Sequence, residues 1–255
     1  MQNKRPSFWQ LGWRSMERDW RAGELRLLVL AVTLAVAALT AVGFFADRLQ
    51  NGLARDARAL IGGDAVISSD NPTPPAFEAQ ARALGLDTVQ TLGFPTMGRA
   101  REEEGGAARL VALKAVGQGY PLRGSLRVAE APQGPDTATR DIPAPGTAWV
   151  DAALLVALDL QMGQPLLLGD ASFTVSRVIV VEPDRGAGFM SFAPRVMINH
   201  ADLAATALVQ PASRLTYRLA VAGADAPVAQ FVRWARAETD KPGVRGLRLE
   251  SLEGG

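Results

Sequence analysis

Between Arg26 and Asp47 the chain runs for 20 residues without a charge, its apolar character relieved only by Thr33, Thr40 and Gly43. A helix advances about 1.5 Å per residue, so such a run matches the roughly 30 Å of hydrocarbon in a bilayer while satisfying its own backbone hydrogen bonds. Residues 27–46 therefore read as a membrane span, and residues 47–255 lie on one side of it. Basic residues decide which side. The leading segment carries Lys4, Arg5, Arg14, Arg18, Arg21 and Arg26, whereas Arg48, Arg55 and Arg58 are spread over a longer stretch after the span. The bias of cytoplasmic flanks towards Lys and Arg puts residues 1–26 in the cytoplasm. The expected location is the bacterial inner (plasma) membrane, with the main domain in the periplasm. A cleaved signal peptide, cut near Phe45-Ala46-Asp47, is the competing reading, but its apolar core would run only ~7–15 residues.

Trp9, Trp13, Met16, Trp20 and Leu27 recur at three- and four-residue steps, with Arg14, Arg18 and Arg21 off that stripe and Ser7 and Gln10 spaced as a capping box. This predicts an amphipathic helix over residues 1–26 in the cytoplasmic headgroup layer, where indoles and arginines both sit well. A helix packed on a partner subunit is the alternative.

Charge and composition exclude several classes. With 27 basic and 26 acidic residues there is no basic field for nucleic acid. One His and no Cys leave no basis for a zinc or copper centre, and without disulfides the outer domain must be held by its own apolar core.

After the span, Leu49, Leu53, Ala57 and Leu60 keep a helical spacing, predicting a stalk over residues 47–60 that stops at Gly62-Gly63. Asp64 to Ser69 reads as a strand. Thr73-Pro74-Pro75 opens a helix with Phe77, Ala81 and Leu84 on one face, Gly85 closes it, and a strand covers residues 88–94. The same order recurs later: Leu215, Tyr217, Leu219 and Val221 alternate as in a half-buried strand, Asp225 and Pro227 start a helix bearing Val228, Phe231 and Ala235, Lys241-Pro242-Gly243 ends it, and a strand covers residues 244–252. Two β-α-β units thus bracket the domain.

Between them, residues 89–99 and 109–116 predict a hairpin over the solvated tip Glu102-Glu103-Glu104-Gly105-Gly106, and residues 130–147 an exposed loop. A short helix is expected over residues 151–160, with strands near Leu166, over residues 173–181 (Phe173, Val175, Ile179 and Val181 on one face) and over residues 196–198. A short helix capped by Asn199 follows. The expected fold class is membrane-anchored α+β: one N-terminal transmembrane helix, then a periplasmic domain of two β-α-β halves with an inserted small β-rich subdomain.

No phosphate-binding loop is present, and Gly117-x-Gly119 with Gly124 lacks dinucleotide spacing. There is no GxSxG elbow, and His200, the only imidazole, reads as a first-turn helix residue. Glu182 and Asp184 flank Pro183, a pair open to acid–base work or to a simple turn. The chain is not expected to be an enzyme, and no catalytic, cofactor-binding or metal residue is assigned. The uncharged stretch 186–194, with Phe189, Met190 and Phe192, would suit an apolar ligand or partner if exposed, or fold back onto the core.

The order of these parts resembles the N-terminal portion of MacB/LolC/FtsX-type (type VII) ABC transporter permeases, in their YbbP-like branch. The resemblance is carried by Gly23-Glu24-Leu25-Arg26-Leu27, Ala46-Asp47-Arg48-Leu49, Gly119-Tyr120-Pro121-Leu122-Arg123-Gly124, Trp149-Val150-Asp151, Glu182-Pro183-Asp184 and Phe192-Ala193-Pro194-Arg195. It implies porter halves over residues 61–123 and 212–255 with the insertion over 124–211. It also implies a cytoplasmic ABC ATPase partner that binds the ATP, a second permease subunit, a periplasmic partner in some systems, and export of a lipid, lipoprotein or other amphiphile. Such permeases carry three further spans, which makes this chain by expectation a fragment, a truncated product or a split subunit. A single-span membrane-anchored periplasmic binding or scaffold protein is the alternative; a tethered hydrolase lacks a triad and metal ligands.

Overall fold

The computed structural model describes residues 9, 12, 13, 16, 18, 20, 23–186, 192–210, 213–241 and 244–251. Most of the amphipathic helix expected over residues 1–26 lies outside them; Trp9, Trp13, Met16 and Trp20 are described, helical and exposed. The chain divides into two compact units, residues 1–53 and 54–255.

Helix α1, Glu24–Ile61, supplies the first unit and the opening turns of the second. Within it every side chain from Arg26 to Asn51 is exposed, Leu, Val and Phe included. Its mean hydropathy reaches 2.5, long and apolar enough to cross a membrane. A stretch of helix apolar on all sides and left exposed by the described residues has lipid as its natural solvent. The Thr33 and Thr40 hydroxyls each donate 2.7 Å back to the carbonyls of Val29 and Val36, so neither faces hydrocarbon unsatisfied. Gly62 ends the helix at φ +78°, while the Gly62 and Gly63 amides return to the Ala59 and Arg58 carbonyls.

The second unit is a mixed α/β domain. Its elements are β1 (Ala65–Ser69), α2 (Pro75–Ala83), β2 (Asp87–Arg99), β3 (Ala108–Val116), β4 (Leu126–Ala129), β5 (Asp136–Thr139), β6 (Thr147–Asp151), α3 (Ala152–Leu158), β7 (Pro165–Leu168), β8 (Ala171–Val181), β9 (Arg195–Asn199), β10 (Thr216–Ala222), α4 (Asp225–Thr239) and β11 (Leu247–Ser251). The strands join in the order β11-β1-β10-β2-β3-β9-β6-β8-β4-β5, with β7 beside β2 and β8.

The two β-α-β units interlock. Strand β10 lies antiparallel between β1 and β2, and β1 antiparallel between β10 and β11, so each unit fills the gap the other leaves. Their helices share one face. Phe77 and Ala81 from α2, and Val228, Phe231, Val232 and Ala235 from α4, pack on Ala65, Ile67, Leu219 and Val221. Trp234 closes this core edge-on to Phe77 at 5.1 Å. The same face continues into a larger cluster that includes Leu92, Phe94, Leu113 and Ile198 and is covered by Leu154, Leu155 and Leu158 of α3. By the two-residue alternation of strands, Ala220, Val89, Val116 and Met197 point to the opposite face and pack with Tyr120, Leu126 and Trp149. The β-rich part between the halves continues the same sheet, through parallel pairing of β3 with β9.

Three expectations are corrected. Residues 130–147 are not loop throughout, because β5 pairs along β4. The helix begins at Ala152 rather than Asp151, which ends β6 as the N-cap. In β8 the register passes from Ala148 opposite Val175 to Trp149 opposite Arg177, so a bulge at Ser176 reverses the alternation; Val178 becomes buried and Val181 exposed. The Glu102–Glu104 tip is a 3-10 turn with Glu102 and Glu103 exposed and Glu104 half-buried, and Asn199 caps a 3-10 helix, His200–Thr206, by accepting from the Ala201 amide.

Candidate functional site

Where α1 ends, four segments distant in sequence meet around buried charge. Strand β3, otherwise apolar over its last six residues, places Lys114 on the face opposite the helices. Its ammonium lies 2.8 Å from each of Glu182 Oε1, Asp184 Oδ1 and the Tyr120 hydroxyl. The Tyr120 hydroxyl donates in turn to Asp184 Oδ1. Arg195, opening β9, donates from Nε to Glu182 Oε2 at 2.7 Å. The Glu182 and Asp184 side chains are 0% and 5% exposed, so these are desolvated charges that persist because each has a hydrogen-bonded counter-ion.

Further ion pairs surround the cluster. Asp151 receives both Arg185 nitrogens, at 3.2 and 2.6 Å, and the Arg195 amide at 2.8 Å, which is why this N-cap residue makes no bond to its own helix. Asp64, just past α1, holds Arg123 through two bonds of 2.9 and 2.6 Å, accepts from the Gly223 amide and lies 3.5 Å from Arg58. Arg218 donates to the Ile61 carbonyl at 3.1 Å. The close fit is visible at two glycines. A Cβ on Gly62 would stand 2.9 Å from Asp184 Oδ2, and one on Gly124 3.0 Å from Pro183 and 3.2 Å from Ala59.

Burial pushes the Tyr120 phenol well above its ordinary value, reinforced by the charges of Asp184 and Glu182. Burial also acts to raise Asp184, but the Lys114 charge and the bonds from Lys114 and Tyr120 outweigh it and hold the carboxyl below its ordinary value. The hydrogen bond to Asp64 raises Arg123, and that to Asp151 raises Arg185. All three Lys114 protons are engaged, so the cluster offers no free acid, base or nucleophile. Its chemistry is that of a fixed joint.

Of the motif residues, Tyr120, Arg123, Gly124, Glu182, Pro183, Asp184 and Arg195 are brought together here. Pro121 follows Tyr120 through a cis peptide bond, and Leu122 packs on the adjoining core. Pro194 contributes its carbonyl to the Ala112 amide. Phe192 stands apart, 87% exposed, while Phe189 and Met190 lie outside the described residues. His200 is exposed. Lys114, Asp64 and Arg218 were not singled out by sequence; one lysine amid Leu113 and Ala115 was the available signal.

No family model matches the chain. It is 33% identical over 237 residues, 93% of its length, to the uncharacterized ABC transporter permease YbbP of Escherichia coli (strain K12), of which it spans 28%. Among solved structures it is similar to the periplasmic region of MacB from Actinobacillus actinomycetemcomitans, with a TM-score of 0.43 and 11% identity over 76% of this chain and 91% of that one. It is also similar to the extracellular domain of the ABC-type transporter YknZ from Gram-positive bacteria, with a TM-score of 0.46 and 11% identity over 73% of this chain and 100% of that one. The sequence match to the ABC transporter permease YbbP takes in nearly the whole of this chain but little more than a quarter of that relative's length.

Proposed function

We propose that this chain is the N-terminal part of a permease subunit that couples ATP hydrolysis by a cytoplasmic ABC ATPase to movement of a periplasmic domain, exporting a lipid, lipoprotein or other amphiphile. Residues 1–26 lie in the cytoplasm, residues 27–46 cross the inner membrane and residues 47–60 form the stalk. Residues 61–123 and 212–255 are the porter halves, and 124–211 the insertion. A second permease subunit completes the assembly, and ATP binds to the partner ATPase.

The observation that carries this reading is the joint at the end of α1. A helix conveys a tilt only to a body its end is fixed to, and here Ile61 and Asp64 are held by Arg218 and Arg123, residues of two separate segments, while Gly62 lies so near Asp184 that a Cβ would not fit between them. The interlocked strands support the same view, since neither porter half can be displaced without the other.

Inserting Gly-Gly or Pro between Ala46 and Leu60 in the assembled transporter tests it. ATP turnover is expected to continue while export stops; export at the original rate would refute the coupling. Protease mapping on intact spheroplasts checks the orientation, with residues 62–255 expected to be cleaved from outside.

A further inference from the structure

On the face that carries Lys114, the register sets Gly93 between Thr216 and Lys114, and Thr91 beside Arg218. Gly93 contributes no side chain, and the space above it is a cleft of about 410 Å³. Its wall bears Lys114, Arg185, Arg195, Arg214 and Arg218 against a single acid, Asp184, with the exposed Pro95 on the same face. The acids nearby are committed: Asp184 and Glu182 to Lys114 and Arg195, Asp151 to Arg185, while Glu250 stands 3.6 Å from Arg218. Arg214 is exposed and has no ion-pair partner among the described residues, so the cleft holds one surplus cation beside several oriented guanidinium groups.

We propose that this cleft binds a phosphate-bearing anion, such as the headgroup of an anionic phospholipid. Guanidinium groups match the oxygens of a phosphate in geometry as well as charge, and the volume lies within the range of small-molecule sites. Thr91 and Thr216 line the same wall. This site rests on the cleft and not on transport. It would serve a scaffold protein equally, and because its readout is equilibrium binding, its failure leaves the transporter reading to its own test.

The test is calorimetric titration of the full chain in maltoside micelles with dihexanoylphosphatidylglycerol, dihexanoylphosphatidylcholine and inorganic phosphate, for the wild type, Arg214→Glu and Gly93→Leu. Gly93 suits the purpose because a Cβ there meets nothing nearer than the Leu113 carbonyl at 3.8 Å, so a larger side chain fills the cleft without displacing the strand. Circular dichroism verifies both folds, and Arg214→Glu alone suffices if Gly93→Leu does not fold. The phosphatidylglycerol is expected to bind at least tenfold more tightly than the phosphatidylcholine, and each substitution to weaken it at least tenfold. Inorganic phosphate binding as tightly as the lipid upholds the anion site and identifies its occupant as free phosphate. Absence of saturable binding by both anions, equal affinity for the two lipids, or indifference to the substitutions overturns the proposal.

Discussion

Replacing Lys114 by Met keeps most of the side-chain volume and deletes one buried charge. Lys114 is 6% exposed, and its ammonium serves Glu182, Asp184 and Tyr120 together. Glu182 retains Arg195 at 2.7 Å, so Asp184 is the carboxylate left without a bonded cation, holding only the Tyr120 hydroxyl and the more distant field of Arg218. Removing one partner of a buried pair costs about 3–5 kcal/mol, and the remaining donors place this case at the lower end. At roughly 2–4 °C per kcal/mol for a domain of this size, about 3 kcal/mol lowers the melting temperature by about 6–12 °C. The assay is thermal and urea unfolding of the chain in micelles, followed by circular dichroism. Asp184→Asn in the Lys114→Met background removes the orphaned charge, so the two losses should fall short of additivity by about 1–3 kcal/mol. The sign with pH follows from the depressed Asp184: its contribution is complete above the unfolded carboxyl value of about 4 and disappears as the pH falls below it. Lys114→Met should flatten that acid limb. A loss below about 1 kcal/mol, or strict additivity, refutes the claim that the ion cluster holds the joint.

Tyr120→Phe, which removes a donor to Asp184 and an acceptor from Lys114, is expected to cost about 1–3 kcal/mol by the same denaturation. Because the folded phenol titrates higher than the unfolded one, wild-type stability is full below about pH 10 and declines above it; the Phe variant should lack this part of the alkaline decline. Gly169→Ala places a Cβ 2.0 Å from the Thr206 carbonyl at φ +58°, whereas Gly85→Ala, at φ +72°, meets nothing within 4 Å. The first should therefore lose more than about 3 kcal/mol and the second about 1–2 kcal/mol. Phe231→Ala, at a fully buried position between α4 and the sheet, should lose about 3–5 kcal/mol in urea unfolding.

What could be read from the sequence was whatever repeats locally. The alternation from Leu215 to Val221 fixed β10, Pro75 in the first turn and the face of Phe77 and Ala81 fixed α2, and the uncharged run fixed the apolar part of α1. Strands β4 and β5 span four residues each and are too short for a period to stand out. The bulge at Ser176 depends on the partner strand β6, which no local pattern encodes. The joint was half legible. The motif segments around Tyr120, Glu182 and Arg195 were singled out, but the residue that ties them together is one lysine, and a single charge in a strand has no spacing to recognise. Pairing across 68 and 70 residues makes Lys114 meaningful. That same separation explains why charge suits this position better than apolar packing. A greasy seam tolerates sliding, whereas three donors on one ammonium and two oxygens on each carboxylate admit few arrangements. The segments that close on the end of α1 are thus held in one register by directed bonds.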